Sequence, residues 1–557
     1  MTAQNRRATV GQQRHKERKM RLNDMELADA GRWEKAGVKL PAFDRGAMLA
    51  ATRERPEWIH FGPGNIFRAF PAAMAQDLLE RGLAETGIVA AEGYDGDIID
   101  GCFAPLDNLT LLVTLKADGT TEKRVVASVA SAHRMDRDMP ALREVFAKPS
   151  LRMASFTITE KGYSVKGPDG SFPPGIAGDM REGPAEPKSY LGKIAALCHE
   201  RYSRGAVPLA MVSMDNCSHN GDILFAAVEA FAQEWVKNGK ADEGFMDYVC
   251  NPQKLSFPWT MIDKITPRPD DGVRDMLTAA GLEDMGGIVT EKNTYAAPFV
   301  NAEETQYLVM EDLFPNGRPP LEKAGAIFAD RETVDMVERM KVCTCLNPLH
   351  TALAVFGCLL GYTRISEQMK NPDLANLVRG IGYAEGLPVV TDPGVIRPRE
   401  FIDTVINARL PNPFMPDSPQ RIAMDTSQKV GIRFGGTIRA YRDGADRGLS
   451  VEGLTLIPLT LAAWLRYLLG TDDEGRPFEV SPDPMYETLA ARLSGISLGQ
   501  KGPFLGALEP ILRDEKIFGL DLCEAGLGER IAGYFAELLE GPGAVAKTLR
   551  KYAGRPS

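Results

Sequence analysis

WIHFGPGNIFRAF, residues 58–70, places a short apolar strand, a glycine turn and the start of a helix in direct succession. Gly62 would permit the tight turn, and Gly64 would let the backbone approach a pyrophosphate. Free N–H groups at the start of the helix would then face the phosphate oxygens. Phe67 stands where the dinucleotide-binding fingerprint has its third glycine, so the motif alone is a weak indicator of a nucleotide site.

A second predicted strand, Gly87 to Ala91, ends at a carboxylate. Glu92 follows Phe67 by 25 residues, near the spacing at which a Rossmann fold places the acid that binds the ribose hydroxyls. An acid there favours NAD, because it would repel the 2′-phosphate of NADP. Asp95 is a competing candidate, and an acid in an exposed loop would produce the same pattern without a function.

The composition sets limits on the class of protein. The chain has 557 residues, 44% hydrophobic and 25% charged, with a net charge of -10, which is typical of a globular protein with at least two domains. The net negative charge argues against a nucleic-acid-binding surface, which needs a basic face. Its longest apolar run, Leu454 to Leu465, is too short for a bilayer. We therefore expect no nucleic-acid or membrane partner and a cytoplasmic location.

The chain divides into three predicted segments. Residues 1–45 begin with a basic stretch and are expected to be disordered or extended. Residues 46–330 are predicted to form a Rossmann-type NAD-binding domain, with a further strand from Ala154 to Tyr163. Residues 331–557 show helical patterns and few strand signals, which predicts a mainly helical substrate and catalytic domain. Eight cysteines show neither disulfide-framework nor zinc-site spacing, so no metal is expected.

KVCTCLNPLHTALAVFGCLLGY, residues 341–362, places a lysine, an asparagine and a histidine at the mouth of an apolar helix. Asn347 and His350 are three residues apart, so on a helix they lie within about 60° of each other. Polar groups at the end of a buried helix need hydrogen-bond partners or a function. A hydrogen-bonded cap of a core helix is the alternative to a reacting centre.

This stretch resembles the K…LN..H signature of the polyol-specific long-chain dehydrogenases, the mannitol dehydrogenase family, in which the lysine is the general acid/base. Further segments resemble the family in the same order: GPGNIFRAF at 62–70, ASFTITEKGY at 154–163, Asp215 to Gly221, FPWTMIDKITP at 257–267 and RIAMDTSQK at 421–429. The resemblance extends from about residue 58 to residue 484. It implies an α/β fold with an N-terminal Rossmann-type doubly wound sheet and a mainly α-helical C-terminal domain.

The resemblance also implies a role for individual residues. Lys341 would be the acid/base, Asn216 and Asn347 would hold the oxygen of the reacting carbon, His350 would orient a neighbouring hydroxyl, and Glu160 would relay protons. Substrate would contact Asp263, Arg421 and Lys429. The cofactor, NAD, would contact Gly62, Gly64, Asn65, Ile66, Phe67, Arg68, Glu92 and Asp95. Burial in the apolar helix would push Lys341 toward its neutral form.

One spacing departs from the family pattern. Lys341 precedes Asn347 by six residues, whereas the family has five. On a regular helix the extra residue would swing Lys341 by about 100° away from its partners. We therefore predict a π-bulge or a non-helical turn at Cys343, Thr344 and Cys345.

Within the family, the CTCLNPLH form of the signature and the chain length most resemble the fructuronate reductase branch, which interconverts fructuronate and mannonate. Mannitol or arabinitol 2-dehydrogenase and tagaturonate reductase are the alternatives. A nucleotide-binding sensor without catalysis is an alternative of another class, favoured by the displaced lysine. The simple sugar-alcohol members of the family suggest a monomer.

Overall fold

A computed structural model describes residues 19–554 of the chain. Its centre is a six-stranded sheet in which every neighbouring pair is parallel. In spatial order its strands are Val129–Arg134, Ile88–Glu92, Trp58–Phe61, Met153–Phe156, Leu209–Ser213 and Leu255–Ser256. Numbering these strands along the chain gives the order 3-2-1-4-5-6, which is the dinucleotide-binding topology. The order reverses between Trp58–Phe61 and Met153–Phe156, where such folds bind their ligands.

Both faces of this sheet are buried. Along the first strand Ile59 and Phe61 belong to one apolar cluster, whereas Trp58 belongs to another, as the two-residue period of a strand requires. Helices cover both faces, which makes the sheet doubly wound. The helices before residue 330 are Asp24–Leu27, Ala30–Lys35, Arg45–Glu54, Asn65–Ala69, Pro71–Glu80, Asp97–Cys102, Met139–Ala147, Pro174–Glu182, Tyr190–Ser203, Asn220–Lys237, Glu243–Cys250 and Asp271–Ala279.

The predicted strand from Ala154 to Tyr163 is too long. The observed strand ends at Phe156, and residues 160–163 form a 3₁₀ turn. Asp215 is the reason, because its carboxylate accepts the backbone N–H groups of Ile158 and Thr159 at 2.8 and 2.9 Å and withdraws them from the sheet. Thr159 has a φ of +64°, a strained value for a β-branched residue.

Part of the expectation for residues 1–45 is wrong. Residues 1–18 lie outside the described part of the chain, but residues 19–45 are ordered. Met20, Leu22, Trp33 and Val38 are buried in an apolar cluster, and this burial anchors the segment. Strand Val38–Lys39 also pairs in parallel with strand Thr121–Val126.

Smaller sheets complete the first part of the chain. One has the spatial order Val38–Lys39, Thr121–Val126, Thr110–Leu115 and Phe299–Glu303. Another consists of Thr260–Asp263, Tyr307–Glu311 and Ile327–Ala329, and a hairpin pairs Ile288–Val289 with Tyr295–Ala296. The division of the chain at residue 330 stays a prediction.

From Arg331 onward the described residues are mainly helical. The helices are Arg331–Met340, Asn347–Leu359, Ile365–Gln368, Pro372–Arg379, Pro398–Thr404, Pro419–Ile422, Gly436–Arg442, Leu456–Tyr467, Tyr486–Arg492, Leu505–Leu512, Glu515–Phe518, Gly528–Leu538 and Ala544–Ala553. Every residue of Leu456–Tyr467 is buried, which explains its continuous apolar pattern. Within residues 19–554, one helical stretch, Arg331–Leu359, could span a membrane by length and composition. However, 78% of its most apolar part is buried inside the protein, as expected for a core helix.

Candidate active site

The glycine turn lies at the carboxyl end of the first strand. Gly62 has a φ of +80°, and a Cβ atom there would lie 2.4 Å from the carbonyl oxygen of Thr157. Only glycine fits this position. A Cβ on Gly64 would meet nothing closer than 3.9 Å, so the backbone there is open to a ligand. Helix Asn65–Ala69 starts directly after it and presents its first N–H groups at the sheet edge.

The side chains that follow the turn differ in exposure. Asn65 and Ile66 are partly exposed, whereas Phe67 and Arg68 are buried. Phe67 stacks on His60 with a ring separation of 3.9 Å. Arg68 donates to the carbonyl oxygen of Ala297 at 2.7 Å and to Asn65 Oδ1 at 2.9 Å, and burial lowers its pKa to about 10. Phe67 and Arg68 therefore hold the turn in place from inside the protein.

Both candidate ribose acids are buried at the end of the second strand. Glu92 Oε1 accepts the N–H groups of Tyr94 and Asp95 at 2.7 and 3.0 Å, and burial raises the pKa of this carboxyl. Asp95 accepts the hydroxyl of Thr290 at 2.6 Å. Each acid thus uses one carboxylate oxygen in these contacts, so hydrogen bonding does not distinguish the two, and Glu92 is the one that ends the strand.

Lys341 lies between the two parts of the chain. Its ammonium donates to Asn216 Oδ1 at 3.0 Å and to the carbonyl oxygen of Ile262 at 3.3 Å, and it lies 3.3 Å from Asp263 Oδ1. Lys341 is buried. The sequence indicates the apolar surroundings of Lys341 but not the carboxylate of Asp263 beside it.

The helical irregularity that the sequence predicts between Lys341 and Asn347 is present. Residues Lys341–Cys345 form a π-helix, in which the N–H of Leu346 bonds to the carbonyl oxygen of Lys341 at 3.1 Å. A π-helical turn absorbs one extra residue within a continuous helix. Lys341 and Asn347 consequently line the same cavity despite their six-residue spacing. The prediction of a π-bulge is confirmed.

A buried ion-pair network extends from Lys341. Arg409 donates to Asp263 Oδ1 at 3.1 Å and to Glu303 Oε1 at 2.8 Å, and all three side chains are buried. Burial alone would raise the pKa of Asp263, but Lys341 and Arg409 hold it below its ordinary value. Sequence reasoning missed Arg409 and Glu303. Each is a charged residue at the end of an apolar run, and a solvent-facing residue would give the same signal.

A cavity of about 310 Å³ opens beside these groups. Its polar lining consists of Asn216, Asp263, Lys341, Asn347, His350, Ser366, Arg409, Asp417 and Arg421. The structure thus brings six of the eight predicted catalytic and substrate-binding residues into one cavity wall. This volume suits a small polar ligand.

The imidazole of His350 is uncharged at neutral pH. Burial lowers its pKa to about 4, although the carboxylate of Asp417, 3.7 Å from Nε2, acts in the opposite direction. A neutral imidazole has one donor and one acceptor, which suits a substrate hydroxyl. Asp417 also pairs with the guanidinium of Arg421 and was missed from sequence.

Two predicted residues are not part of this cavity wall. Glu160 is exposed beyond the shortened strand, and Lys341 has no hydrogen bond or ion pair with it in the described chain. Lys429 donates to the carbonyl oxygen of Met424 in its own turn, which draws its ammonium away from the cavity. The structure therefore does not support the predicted relay and substrate roles. Residues 19–554 contain no group of three or more His, Cys, Asp or Glu side chains placed to hold a metal ion.

Comparison with known families is consistent with this site. The model of the mannitol dehydrogenase Rossmann domain matches residues 56–323, and that of the mannitol dehydrogenase C-terminal domain matches residues 333–536. The chain belongs to the mannitol dehydrogenase family. The family and the α/β fold class predicted from the sequence are confirmed.

Relatives of this mannitol dehydrogenase family member match it over nearly their whole length. D-mannonate oxidoreductase of Thermotoga maritima is 50% identical to this chain, and the matched region spans 96% of this chain and 99% of the relative. Mannitol 2-dehydrogenase of Neosartorya fischeri is 29% identical, and the match spans 90% of this chain and 93% of that protein. Among solved structures, the Pseudomonas fluorescens mannitol 2-dehydrogenase complex with NAD and D-mannitol matches with a TM-score of 0.66 at 27% identity. The match spans 96% of this chain and 100% of that chain.

Proposed function

We propose that this protein is an NAD-dependent oxidoreductase that interconverts D-mannonate and D-fructuronate. The observation that carries the proposal is the contact of the Lys341 ammonium with Asn216 Oδ1 at 3.0 Å, in a cavity that also holds Asn347 and His350. The 50% identity to a D-mannonate oxidoreductase over 96% of the chain supports a sugar acid as the substrate.

The residues at the sheet edge fit a dinucleotide. Gly62 makes the turn that only glycine permits, Gly64 leaves its backbone open, and Glu92 ends the neighbouring strand. These residues would hold the pyrophosphate and the ribose. NAD, when bound, would accept a hydride from the alcohol carbon or return it to the ketone.

Lys341 would move the proton. In oxidation its neutral amine takes the hydroxyl proton, and in reduction its ammonium gives a proton to the forming alkoxide. Asp263 and Arg409 hold the lysine on the cavity wall, because Asp263 is fixed by two guanidinium contacts.

Two asparagines would stabilise the oxygen of the reacting carbon. Asn216 accepts from Lys341 through Oδ1, which leaves its Nδ2 group to donate to that oxygen. Asn347 is the first residue of helix Asn347–Leu359 and lines the same cavity. Donors fixed before the reaction lower its barrier, because they need no reorganisation as negative charge develops.

Arg421 would meet the carboxylate of the sugar acid. It lines the cavity, its side chain is 64% exposed, and it pairs with Asp417. A guanidinium fork suits a carboxylate. This local positive group is consistent with an anionic substrate on a protein whose net charge is -10.

A substrate panel tests the proposal. Initial rates of NADH and NADPH oxidation are measured with fructuronate, tagaturonate, fructose and xylulose, on wild type and Lys341→Ala. Fructuronate with NADH should give the highest kcat/KM, and Lys341→Ala should lower its turnover by about 10²–10⁴-fold. Higher kcat/KM with fructose or xylulose would indicate a mannitol or arabinitol 2-dehydrogenase, and with tagaturonate a tagaturonate reductase. Absence of turnover with every substrate would favour a sensor. A cytoplasmic location and a monomeric state belong to the same proposal.

A further inference from the structure

A second cavity, of about 570 Å³, lies on the other side of the π-helical segment. Three basic side chains line it, those of Arg339, Arg439 and Lys516, together with the polar side chains of Thr391, Gln428 and Thr437. Within the described part of the chain no aspartate or glutamate lines this cavity. Its wall therefore combines positive charge with hydrogen-bond donors, which is the chemistry of an anion site.

The two cavities are separate but share a wall. They have no lining residue in common. Lys341 lines the candidate active site, whereas Cys343 and Thr344, in the same π-helical segment, line the second cavity. A ligand in the second cavity would therefore contact the turn that carries the reacting lysine.

The three basic groups are only weakly compensated. Arg439 Nη1 donates to the carbonyl oxygen of Gly519, which orients the guanidinium without neutralising it. Arg339 lies 3.9 Å from Asp335, its nearest ion-pair partner in the described residues. The side chain of Lys516 has neither an ion pair nor a hydrogen bond there. Glu338 and Asp443 are further acids near this wall, since Glu338 interacts electrostatically with the thiol of Cys343 and Asp443 with Arg439.

Tight backbone packing shapes the floor of the cavity. A Cβ atom on Gly431 would lie 2.7 Å from the carbonyl oxygen of Ile517, so the π-helical segment Gly431–Gly435 and helix Glu515–Phe518 are in close contact. Ile432 remains 58% exposed on the same wall beside Val389. The cavity thus has an apolar side and a cationic side.

We propose that this second cavity binds a small organic phosphate. The phosphate group would lie among Arg339, Arg439 and Lys516, because guanidinium and ammonium groups are the side chains that best neutralise its charge. The apolar part of the ligand would pack on Ile432 and Val389. The site is independent of the substrate and cofactor sites of the proposed reaction.

Binding of inorganic phosphate tests the proposal. The melting temperature of the NADH-saturated protein is measured over a phosphate titration, with chloride keeping the ionic strength constant. The wild type should be stabilised, and Arg339→Gln/Lys516→Gln should bind phosphate about tenfold or more weakly, because charged hydrogen bonds are lost. Both substituted side chains are exposed, so the fold is expected to survive.

A control variant, Lys237→Gln/Arg274→Gln, removes the same amount of charge from two solvent-exposed side chains on helices elsewhere in the protein. It should bind phosphate as the wild type does. Equal phosphate affinity in the Arg339→Gln/Lys516→Gln variant and the wild type would overturn the proposal. Competition between phosphate and NADH or fructuronate would overturn it as well, because the anion would then occupy the active site. Each readout is binding, so failure here leaves the proposed reaction untouched.

Discussion

Lys341 Nζ lies 3.3 Å from the carboxylate of Asp263, and the guanidinium of Arg409 holds the other side of that carboxylate. Buried charges of this kind are stable only when each has its partner. This ion pair joins Lys341 to strand Thr260–Asp263 of the first part of the chain. It therefore fixes the position of the lysine across the cleft.

Replacing Lys341 by alanine should lower kcat by about 10²–10⁴-fold, because general acid/base help is worth that much. NADH titration by fluorescence should give a similar Kd for both proteins, since the lysine contacts the substrate oxygen and not the dinucleotide phosphates. Lys429→Ala is the matched control, and its kcat should stay near that of the wild type because its ammonium bonds to Met424. Near wild-type turnover by Lys341→Ala would remove the lysine from the mechanism.

Replacing Arg409 by methionine should lower the free energy of unfolding by about 3–5 kcal/mol, because Glu303 loses its buried ion pair and Asp263 keeps only that with Lys341. Urea unfolding at neutral pH measures this loss. The double variant Arg409→Met/Glu303→Leu also removes the carboxylate whose ion pair is with Arg409, and it should recover part of the stability. No recovery would show that the guanidinium acts through packing and not through charge.

Deleting Thr344 should leave a folded protein with kcat reduced by about 10²-fold or less, a loss typical of a small misplacement of a reacting group. The deletion removes the extra residue that the π-helix accommodates and restores the five-residue spacing. Deleting Ala354 is the control, since it would rotate the buried residues that follow in helix Asn347–Leu359 by about 100°. Circular dichroism and kcat should show a folded, partly active protein for the Thr344 deletion and a larger loss of structure and activity for the Ala354 deletion. Equal damage by both deletions would contradict the prediction.

NADH should be preferred over NADPH by about tenfold or more in kcat/KM, because the Glu92 carboxylate would repel a 2′-phosphate. Glu92→Gln should narrow this preference without abolishing turnover, and its amide oxygen can still accept the N–H groups of Tyr94 and Asp95. Asp95→Asn, whose partner is Thr290, should leave the preference unchanged. If only the Asp95 variant changed the preference, the ribose acid would be misassigned.

Stability should fall as the pH falls from about 6.5 toward about 3, in part because of His60. Burial lowers the pKa of His60 to about 3, whereas an unfolded histidine titrates near 6.5. Below 6.5 the unfolded chain therefore takes up a proton that the folded protein does not, which costs on the order of 2 kcal/mol at pH 5. Urea unfolding at pH 7 and pH 5 should show a smaller loss for His60→Gln than for wild type. An equal loss in both proteins would exclude His60 as a cause.

Much of the first part of the fold could be predicted from local patterns. Strand Trp58–Phe61 and its glycine turn follow from the local sequence, because a buried strand requires apolar residues and a positive φ favours glycine. The strand from Ala154 is shorter than its local pattern predicts, because its end depends on Asp215, a residue more than fifty positions away. The order of residues 19–45 does not follow from local sequence, because their few apolar side chains are buried by contacts distant in sequence.

The sequence by itself determined the family and the order of the elements, because these depend on local periodicity and on segments that keep their order. It also selected Lys341, Asn347 and His350 as candidates, which the structure places in one cavity wall. It also determined that an extra residue had to be accommodated before Asn347. Only the tertiary structure decided that Asp263 and Glu303 share the guanidinium of Arg409, and that Arg421 reaches the cavity while Lys429 and Glu160 do not. Charged side chains look alike in sequence whether they face water or one another, and their partners become neighbours only when distant segments pack together.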